Sequence, residues 1–301
     1  MGTRVSVELW HEDAALAATA ARAVMAEYHR INRQMSTYLD SSEISALNRE
    51  AAQAPFKTSV ELYTLIAQSL ELGRLSGGCF DISYDSVGFL YDLRAGIVPD
   101  DASRLGQLPL INYRAIELDP VQQTIRFQHP GMRINLGGIA KGYAVERGAA
   151  IVREHGIRHA LLNAGGDSRV VGDRRGQPWI IGIRNPSARE GVVARLPIVD
   201  EAISTAGDYE RYFDRDGVRY HHILNPVTGL PSSGVRSVTV MGPDGTMTDG
   251  LDTAIFVMGV ERGMALIAAL PGYEAVIVDA AGRLYYSDGL GNAKTNDAER
   301  S

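Results

Sequence analysis

The sequence predicts an α+β fold of mixed, largely antiparallel sheets with flanking helices. Helical segments and hairpin-like segments follow one another without the regular strand–helix–strand order of a doubly wound sheet. The 301 residues contain no internal repeat and no linker long enough to separate independent domains. We therefore expect one domain over residues 1–289, built as two coupled lobes, and a frayed tail over residues 290–301, where the chain becomes small and polar.

The first elements are predicted to be a strand and two helices. Apolar and polar residues alternate over residues 3–10, as they do in a half-buried strand. From Asp13 to about Met35 apolar residues recur at helical spacing, which predicts a long amphipathic helix. Either Ser41 or Ser42 is placed to cap a short helix after it.

A third helix and a hairpin are expected next. Thr58 and Glu61 have the spacing of a capping box, which predicts the start of a helix that Gly77 and Gly78 terminate. Apolar residues alternate on both sides of an Asp-Pro turn within residues 111–127, so we expect two paired strands there.

The second half is predicted to consist of strands with two interposed helices. From Met132 the pattern is strand, glycine turn and helix, with the helix over residues 143–155. More strands are expected in "HALLNAGGD", "WIIGIRNP", "VARLPIVDEAIST" and "RSVTVMG". A second helix is predicted to start near Thr248 or Asp249, and "YEAVIVDAAGRLYYS" should form a closing hairpin.

Composition narrows the possible partners. The formal net charge is −6, and no basic run with interleaved aromatic residues is present, which argues against a nucleic acid partner. No apolar stretch approaches the roughly 18 to 20 residues of a membrane span, and no signal-like segment precedes the first strand. If the natural protein is exported, we expect its leader to be absent from this sequence.

The single cysteine, Cys79, lacks a disulfide partner and the spacing of a zinc site. We therefore expect it to be a small buried hydrophobic residue.

A glycine-rich turn with a lysine is the first candidate for chemistry. It lies within "RINLGGIAKGYA", in a chain with only three lysines among its thirty basic residues. Its spacing matches neither of the standard phosphate-binding glycine loops. Gly137 and Gly138 nevertheless allow a close approach of the backbone to a ligand, and Lys141 supplies a compact positive charge suited to one phosphate or carboxylate oxygen. The alternative is a surface lysine in an ordinary strand-to-helix turn.

The segment "TDGLDTA" is the second candidate. Asp249 and Thr253 are four residues apart, so on a helix they share one face and can offer a carboxylate and a hydroxyl to one hard cation. The alternative places Asp249 at the helix N-terminus, where the helix dipole favours it, with Thr253 facing the core. Asp252 is expected to project elsewhere as a solvated charge.

Two further segments are rich in polar groups. "NAGGD", from Asn163 to Asp167, takes a strand into paired glycines and can be either a ligand-binding turn or an ordinary tight turn. His221 and His222 are adjacent in a predicted strand, so they should point to opposite faces and at most one should reach a given site. A pair of core or surface histidines remains the alternative.

These motifs, in this order, resemble the ApbE family of FAD:protein FMN transferases. The resemblance covers nearly the whole chain, and the glycine–lysine and Asp-x-x-x-Thr segments are its most specific parts. It implies a T-fold-related α+β architecture with an FAD cleft. The segments that carry it are "MGT", "STY", "SEISALN", "GGCFD", "INLGGIAKGYA", "NAGGD", "ISTAGDYERYF", "HHILNPVTGLP" and "TDGLDTAIFV".

The resemblance implies an activity and a metal. Members of the family bind FAD and magnesium, cleave the pyrophosphate with release of AMP, and attach FMN through a phosphoester to a threonine or serine of an acceptor flavoprotein. By position, Asp249 and Thr253 look like magnesium ligands, together with a backbone carbonyl at Gly138. His222 then resembles the proton-transfer group, which polarises the acceptor hydroxyl if its pKa lies near the working pH. Lys141 and Asp249 join it as catalytic residues.

The resemblance also implies the residues that hold FAD. Those that look like flavin-pocket residues are Met1, Tyr38, Phe80 and Asp81. Those expected along the dinucleotide are Asn135, Gly137, Gly138, Lys141, Asn163, Gly165, Gly166, Asp167 and Thr205.

Three departures from the family pattern keep other functions open. Asn135 and Asn225 stand where the family commonly has aspartate, and "ISYDSVGFLYDL" replaces a glycine-proline version. Asparagine keeps the shape of aspartate but loses its charge. The chain is therefore either a transferase, an FAD-binding or storage protein without chemistry, or a magnesium-dependent FAD pyrophosphatase. The resemblance implies a periplasmic or membrane-associated location if a leader is missing here, and a cytoplasmic one otherwise.

Overall fold

The structure, a computed structural model, describes residues 3–186 and 191–290 of the chain. Met1 of the expected flavin pocket lies outside the described residues, and so does the expected tail beyond residue 290. The helices are α1 Ala14–Met35, α2 Glu43–Glu50, α3 Val60–Leu75, α4 Asp85–Gly88, α5 Asp101–Gln107, α6 Ala140–Glu154, α7 Gly245–Met258 and α8 Val260–Ala268. Short 3₁₀ turns occupy Ile82–Tyr84, Leu108–Leu110, Tyr113–Ala115 and Asp288–Leu290.

Fourteen strands are described. They are β1 Val5–Trp10, β2 Phe56–Lys57, β3 Ile116–Asp119, β4 Thr124–Phe127, β5 His159–Ala164, β6 Asp167–Val171, β7 Trp179–Arg184, β8 Val192–Ile198, β9 Ala202–Gly207, β10 Tyr212–Arg215, β11 Val218–His221, β12 Val235–Gly242, β13 Glu274–Asp279 and β14 Leu284–Tyr286. Seven of them form one antiparallel sheet in the order β1-β5-β6-β9-β12-β13-β14. The others form small antiparallel sheets, β2-β4-β3, β7-β8 and β10-β11. The predicted α+β class with antiparallel sheets is confirmed.

The large sheet buries both faces. Helices α1, α6 and α7 cover one face and form the main apolar core with it. On the other face, the β7-β8 hairpin contributes Trp179, Ile183 and Leu196 to a second core that includes Val170 and Met241 of the sheet. Since alternate residues of a strand point to opposite faces, the inner strands are buried along nearly their whole length. β12, for example, has only one residue that is not fully buried.

Helix α1 forms as its pattern predicts. Asp13 caps it by accepting hydrogen bonds from the backbone N–H groups of Ala15 and Leu16. Its fully buried residues follow the helical period and pack against the sheet and α6: Ala20, Val24, Tyr28, Ile31 and Met35. None of the described helices is long and apolar enough to cross a membrane.

The cap of α3 differs from the prediction. Ser59, not Thr58, accepts the hydrogen bond from the backbone N–H of Leu62. The Thr58 N–H and hydroxyl both donate to the carbonyl of Gln123 in the neighbouring hairpin. Thr58 therefore bonds to the β3-β4 hairpin and does not cap the helix. Glu61 does not complete the capping box, because its carboxylate pairs with Arg30 of α1.

Two boundaries near the site also differ. Residues 132–136 form no strand. The N–H groups of Arg133 and Ile134 bond instead to side chains of two helices, Ser86 of α4 and Asn48 of α2. Helix α6 starts at residue 140, three residues earlier than expected. Helix α7 starts at residue 245, where Asp244 caps it by accepting from the N–H of Met247.

Candidate active site

Helices α6 and α7 cross at close range. A Cβ on Gly142 of α6 would lie 1.9 Å from the carbonyl oxygen of Gly245, so only glycine allows this approach. The carboxylate of Glu146, one turn further along α6, accepts a hydrogen bond from the Gly245 N–H at 2.7 Å. The crossing brings Lys141 of α6 beside Asp249 of α7, although the two are 108 residues apart in the chain.

Lys141 binds two carboxylates from different elements. Its Nζ lies 2.5 Å from Asp249 Oδ1 and 2.8 Å from Asp167 Oδ2, at the start of β6, and 3.4 Å from the carbonyl oxygen of Gly137. Burial opposes the charge of Lys141, but the two carboxylates raise its pKa well above the usual value. The ammonium therefore stays charged, and the surface-lysine alternative is wrong.

Three carboxylates form a buried cluster at this point. One oxygen from each of Asp167, Asp249 and Asp252 lies within 4.8 Å of the others. Burial, with the Asp249 charge next in importance, raises the pKa of Asp167 to about 7 and raises that of Asp252 well above its usual range. The expectation that Asp252 is solvated is wrong, since only 1% of the residue is exposed. Because α7 starts early, Asp249 lies in its second turn and is not an N-terminal helix residue.

The cluster fits a hard divalent cation. Such ions take oxygen ligands, and carboxylates whose pKa values are raised by burial and by mutual repulsion gain from a shared positive ion. Asp167 Oδ1 is buried and has no hydrogen-bond partner among the described residues. The Thr253 hydroxyl lies next to the cluster and donates to Asp252 Oδ1 at 3.1 Å. These oxygen donors suit magnesium better than a softer metal.

The glycine turn before α6 lies against the same cluster. A Cβ on Gly138 would be 3.3 Å from Thr253 Oγ1 and 3.2 Å from the Phe80 ring, so the backbone of Gly138 contacts both residues. Asn135 holds the turn from behind, since its Oδ1 accepts from the N–H of Gly137 at 2.8 Å. The predicted proximity of Gly137, Gly138 and Lys141 to the Asp249–Thr253 face is therefore present.

The "NAGGD" turn supplies Asp167. Gly165 has a φ of 72°, which favours glycine, and a Cβ on Gly166 would lie 2.7 Å from the carbonyl oxygen of Thr205. The Asn163 side chain closes the turn by donating to the Gly165 carbonyl. The Thr205 hydroxyl hydrogen-bonds to Thr239 of β12, while its N–H donates to the Gly166 carbonyl. This segment is thus both a tight turn and the carrier of a site carboxylate.

The two adjacent histidines have separate environments, although β11 ends at His221 and His222 lies beyond the expected strand. His221 Nε2 lies 2.9 Å from the carbonyl oxygen of Ser232, and its ring packs edge-on against Phe256 in the core. His222 Nδ1 is buried and has no hydrogen-bond partner among the described residues. Burial, then the positive charge of Arg211, lowers the pKa of His222 to about 3, and Lys141 is close enough to contribute. A neutral imidazole with an unused nitrogen thus lies beside the cationic part of the site.

The expected flavin-pocket residues differ from one another in exposure and in their contacts. Tyr38 is 81% exposed, and Phe80 is buried beneath Gly138. Asp81 uses both carboxylate oxygens within the protein, accepting from the Ser83 N–H and hydroxyl and from the Tyr113 N–H. Its contacts position the loop after α3, and a flavin contact stays a prediction for all three residues.

Sequence reasoning missed two residues at the glycine turn. The Tyr84 hydroxyl oxygen is 3.6 Å from where a Gly137 Cβ would lie, and Asp85 Oδ1 accepts from Asn135 Nδ2 at 3.1 Å. Both come from the segment "ISYDSVG", whose departure from the family pattern was the available signal. Asp252 was also missed, although its spacing of three residues from Asp249 places both on one face of a helix.

The fold and this site define an α+β protein with a buried cluster of three carboxylates, around which lie a lysine, two glycine turns and a neutral histidine. A model of the ApbE family matches residues 1–277. The chain belongs to the ApbE family.

Curated relatives and solved structures agree with this assignment. The FAD:protein FMN transferase of Vibrio cholerae serotype O1 is 36% identical over 248 residues, which cover 79% of this chain and 73% of that protein. The FAD:protein FMN transferase of Treponema pallidum is 33% identical over 275 residues, covering 85% and 76%. The ApbE protein of Thermotoga maritima superposes with a TM-score of 0.89 at 32% identity, covering 96% of this chain and 95% of that one. The flavin transferase ApbE of Vibrio cholerae has a TM-score of 0.85 at 30% identity, covering 96% and 94%.

Proposed function

We propose that this chain transfers the FMN half of FAD to a threonine or serine hydroxyl of an acceptor flavoprotein, in a magnesium-dependent reaction that releases AMP. Family membership and relatives named FAD:protein FMN transferase support the flavin chemistry. The observation that carries the proposal is the Lys141 ammonium held between Asp167 and Asp249, beside a buried carboxylate cluster and a neutral His222.

The proposed residues supply charge and close contact. Magnesium held by Asp249, Thr253 and the Gly138 carbonyl would neutralise charge on the pyrophosphate as it is cleaved. Lys141 adds a fixed positive charge, and its two carboxylate partners orient it. The backbone at Gly137 and Gly138 can approach a phosphate closely, since no side chain intervenes. The remaining FAD contacts are assigned by resemblance to the residues given above.

His222 is assigned the proton of the acceptor hydroxyl. The hydroxyl oxygen attacks the phosphorus of the FMN half, a P–O bond forms, and the P–O bond to the AMP half breaks. The hydroxyl proton passes to Nδ1 of His222, which is neutral and has no partner among the described residues. Its pKa of about 3 makes it a weak proton acceptor, because a general base works best with a pKa near the working pH. AMP leaves with the bridging oxygen.

The test is one incubation with FAD, magnesium and an acceptor domain that carries an Asp-x-x-Thr-Gly-Ala-Thr motif. Intact-mass analysis of the acceptor and quantification of AMP are the readouts. A mass increase equal to FMN, matched by AMP and blocked by EDTA, supports the proposal. Asp249→Asn should abolish both products. Asp216→Asn, a change at an exposed turn residue with a φ of 51°, is the matched control and should retain them.

The same incubation separates the two alternatives. An FAD pyrophosphatase produces AMP and free FMN with an unmodified acceptor. A binding or storage protein retains FAD and produces no AMP. Either result overturns the proposed transfer. The pyrophosphatase result would still agree with a carboxylate cluster that acts on the pyrophosphate.

A further inference from the structure

Behind the glycine turn, a carboxylate and an amide form a matched pair. Asp85 of α4 is 6% exposed, and its Oδ1 accepts from Asn135 Nδ2 at 3.1 Å. Its Oδ2 lies 3.3 Å from Arg133 Nε. Asn135 Nδ2 also donates to the Thr37 hydroxyl oxygen at 3.1 Å, and Asn135 Oδ1 accepts from the Gly137 N–H at 2.8 Å. Every polar atom of the two side chains therefore has a partner.

The surrounding donors and acceptors determine which residue carries the charge. The Gly137 N–H needs an acceptor at position 135, and either an amide or a carboxylate provides one. The atom that faces Asp85 must be a donor, because two buried carboxylates in contact would repel each other. Burial already raises the pKa of Asp85, and the amide of Asn135 and the charge of Arg133 act in the opposite direction. The pair thus works with one charge and not with two.

The turn that the pair supports reaches the site directly. Gly137 contributes its carbonyl oxygen to Lys141 at 3.4 Å, and Gly138 contacts Thr253. A shift of the Asn135 side chain would move the Gly137 N–H. The Gly137 carbonyl beside Lys141 and the backbone of Gly138 beside Thr253 would move with it. Helix α4 and the segment before α6, which are far apart in the chain, therefore both determine the position of the glycine turn.

We propose that Asp85 and Asn135 are a positioning pair. One of the two positions carries a carboxylate and the other an amide, and the hydrogen bond between them holds the Gly137–Gly138 turn in its ligand-binding conformation. The proposal rests on the proposed function for the identity of the ligands, FAD and magnesium. It also explains the asparagine at position 135 without a loss of function, since the negative charge lies one hydrogen bond away at Asp85.

An exchange of the two residues tests the pair. Asn135→Asp places two carboxylates in contact, and Asp85→Asn leaves two amides there, so each single variant disturbs the turn. In the double variant Asp85→Asn/Asn135→Asp, the new amide at 85 can donate to the new carboxylate at 135. Its oxygen can accept from Arg133, and the carboxylate at 135 can still accept from the Gly137 N–H. Every donor regains an acceptor.

The measurements are FAD affinity from flavin fluorescence at several magnesium concentrations, KM for FAD, kcat, and melting temperature with and without magnesium. We expect each single variant to raise the KM and the magnesium requirement about tenfold, with a smaller change in kcat, and the exchange variant to recover most of that loss. Asp119→Asn is the matched control, because Asp119 Oδ1 also accepts backbone N–H groups, those of Val121 and Gln122 in the β3-β4 turn, and it should resemble the wild type.

Three results would overturn the pair. Losses that multiply in the exchange variant mean that the two residues act independently. Single variants equal to the wild type mean that the pair does not position the turn. A lower melting temperature with an unchanged KM and magnesium requirement means a structural role alone. If the wild-type chain shows no FMN transfer, the proposed function fails, and FAD affinity and the magnesium-induced melting shift of the four variants still decide the pair.

Discussion

His222 is placed to accept a proton without first having to lose one. Its pKa of about 3 keeps the imidazole neutral over the whole range from pH 5 to 9. General base catalysis contributes a factor of about 10² to 10⁴ when the pKa of the base lies near the working pH, and a pKa of about 3 makes His222 a much weaker base than that. We expect His222→Gln to lower the rate of FMN transfer by no more than about 10²-fold, while FAD affinity stays within about threefold. Single-turnover transfer and flavin fluorescence measure the two effects. His221→Gln is not a matched control, because His221 lies in the core. Equal losses of transfer rate and FAD affinity in His222→Gln would contradict the assignment of His222 to proton transfer.

The same pKa has a consequence for stability. The unfolded state binds a proton at His222 near pH 6.5, while the folded state does so only near pH 3, so between these values the unfolded state holds more protons. The free energy of unfolding should therefore fall as the pH decreases from 6.5 towards 3. We expect denaturant titrations at pH 7.5 and 5.0 to differ less for His222→Gln than for the wild type. His221, whose pKa burial also lowers, leaves a residual slope in the variant. Identical slopes would show that His222 is not buried as described.

Residue identities at the site were only partly predictable. Lys141, Asp249 and Thr253 stand out by rarity or spacing, and the structure places all three together. Asp252 was expected to be solvated, but a residue three positions after Asp249 on a helix lies on the same face, so the spacing alone could have placed it in the cluster. Asp85 has no local pattern at all. Its role depends on a contact with Asn135, fifty residues away, which only tertiary structure reveals.

At the scale of elements, the crossing of α6 and α7 determines the site. We expect Gly142→Ala to lower the free energy of unfolding by about 1–3 kcal/mol or more, because the new methyl would overlap the Gly245 carbonyl and force the helices apart. Magnesium-dependent activity should fall with it. Gly106→Ala in α5 is the matched control, since no atom lies within 4 Å of its Cβ position and alanine favours a helix by about 0.5–1 kcal/mol.

Denaturant titration of both variants measures these changes. A Gly142→Ala protein as stable as the wild type, with an unchanged magnesium requirement, would contradict a close crossing. A general intolerance of alanine would instead appear in Gly106→Ala as well. The comparison thus separates the loss of backbone approach from the change in helix propensity.

The elements themselves were more predictable than their ends. The periodicity of α1 predicts both its length and its buried face, because a solvent-exposed helix must keep its apolar residues on one side. The start of α3 was misplaced by one residue, since Thr58 and Ser59 are chemically alike as caps. The difference comes from the Gln123 carbonyl, which takes both the N–H and the hydroxyl of Thr58. Such competition between partners is not visible in the local sequence.

For the whole molecule, the site joins parts of the chain that are far apart. Asp167 comes from the large sheet, Lys141 and Asp249 come from two helices that cover it, and His222 follows the β10-β11 hairpin. The main apolar core lies directly under this arrangement, and the second core stabilises the opposite face of the sheet. The site can therefore form only when the main core is packed, so ligand binding and folding should be coupled.

That coupling predicts a thermal shift with magnesium. The cluster brings three carboxylates together with the single ammonium of Lys141, and an added cation that binds only the folded state stabilises it by RT ln(1 + [L]/Kd), about 2.7 kcal/mol at a hundredfold excess over Kd. For a chain of this size, such an increment should raise the melting temperature by roughly 4 °C. Calorimetry with magnesium and with EDTA measures the shift. Asp249→Asn should abolish it, and Asp216→Asn should retain it. An equal shift in both variants would mean that magnesium acts elsewhere on the surface, because only the first variant alters the carboxylate cluster.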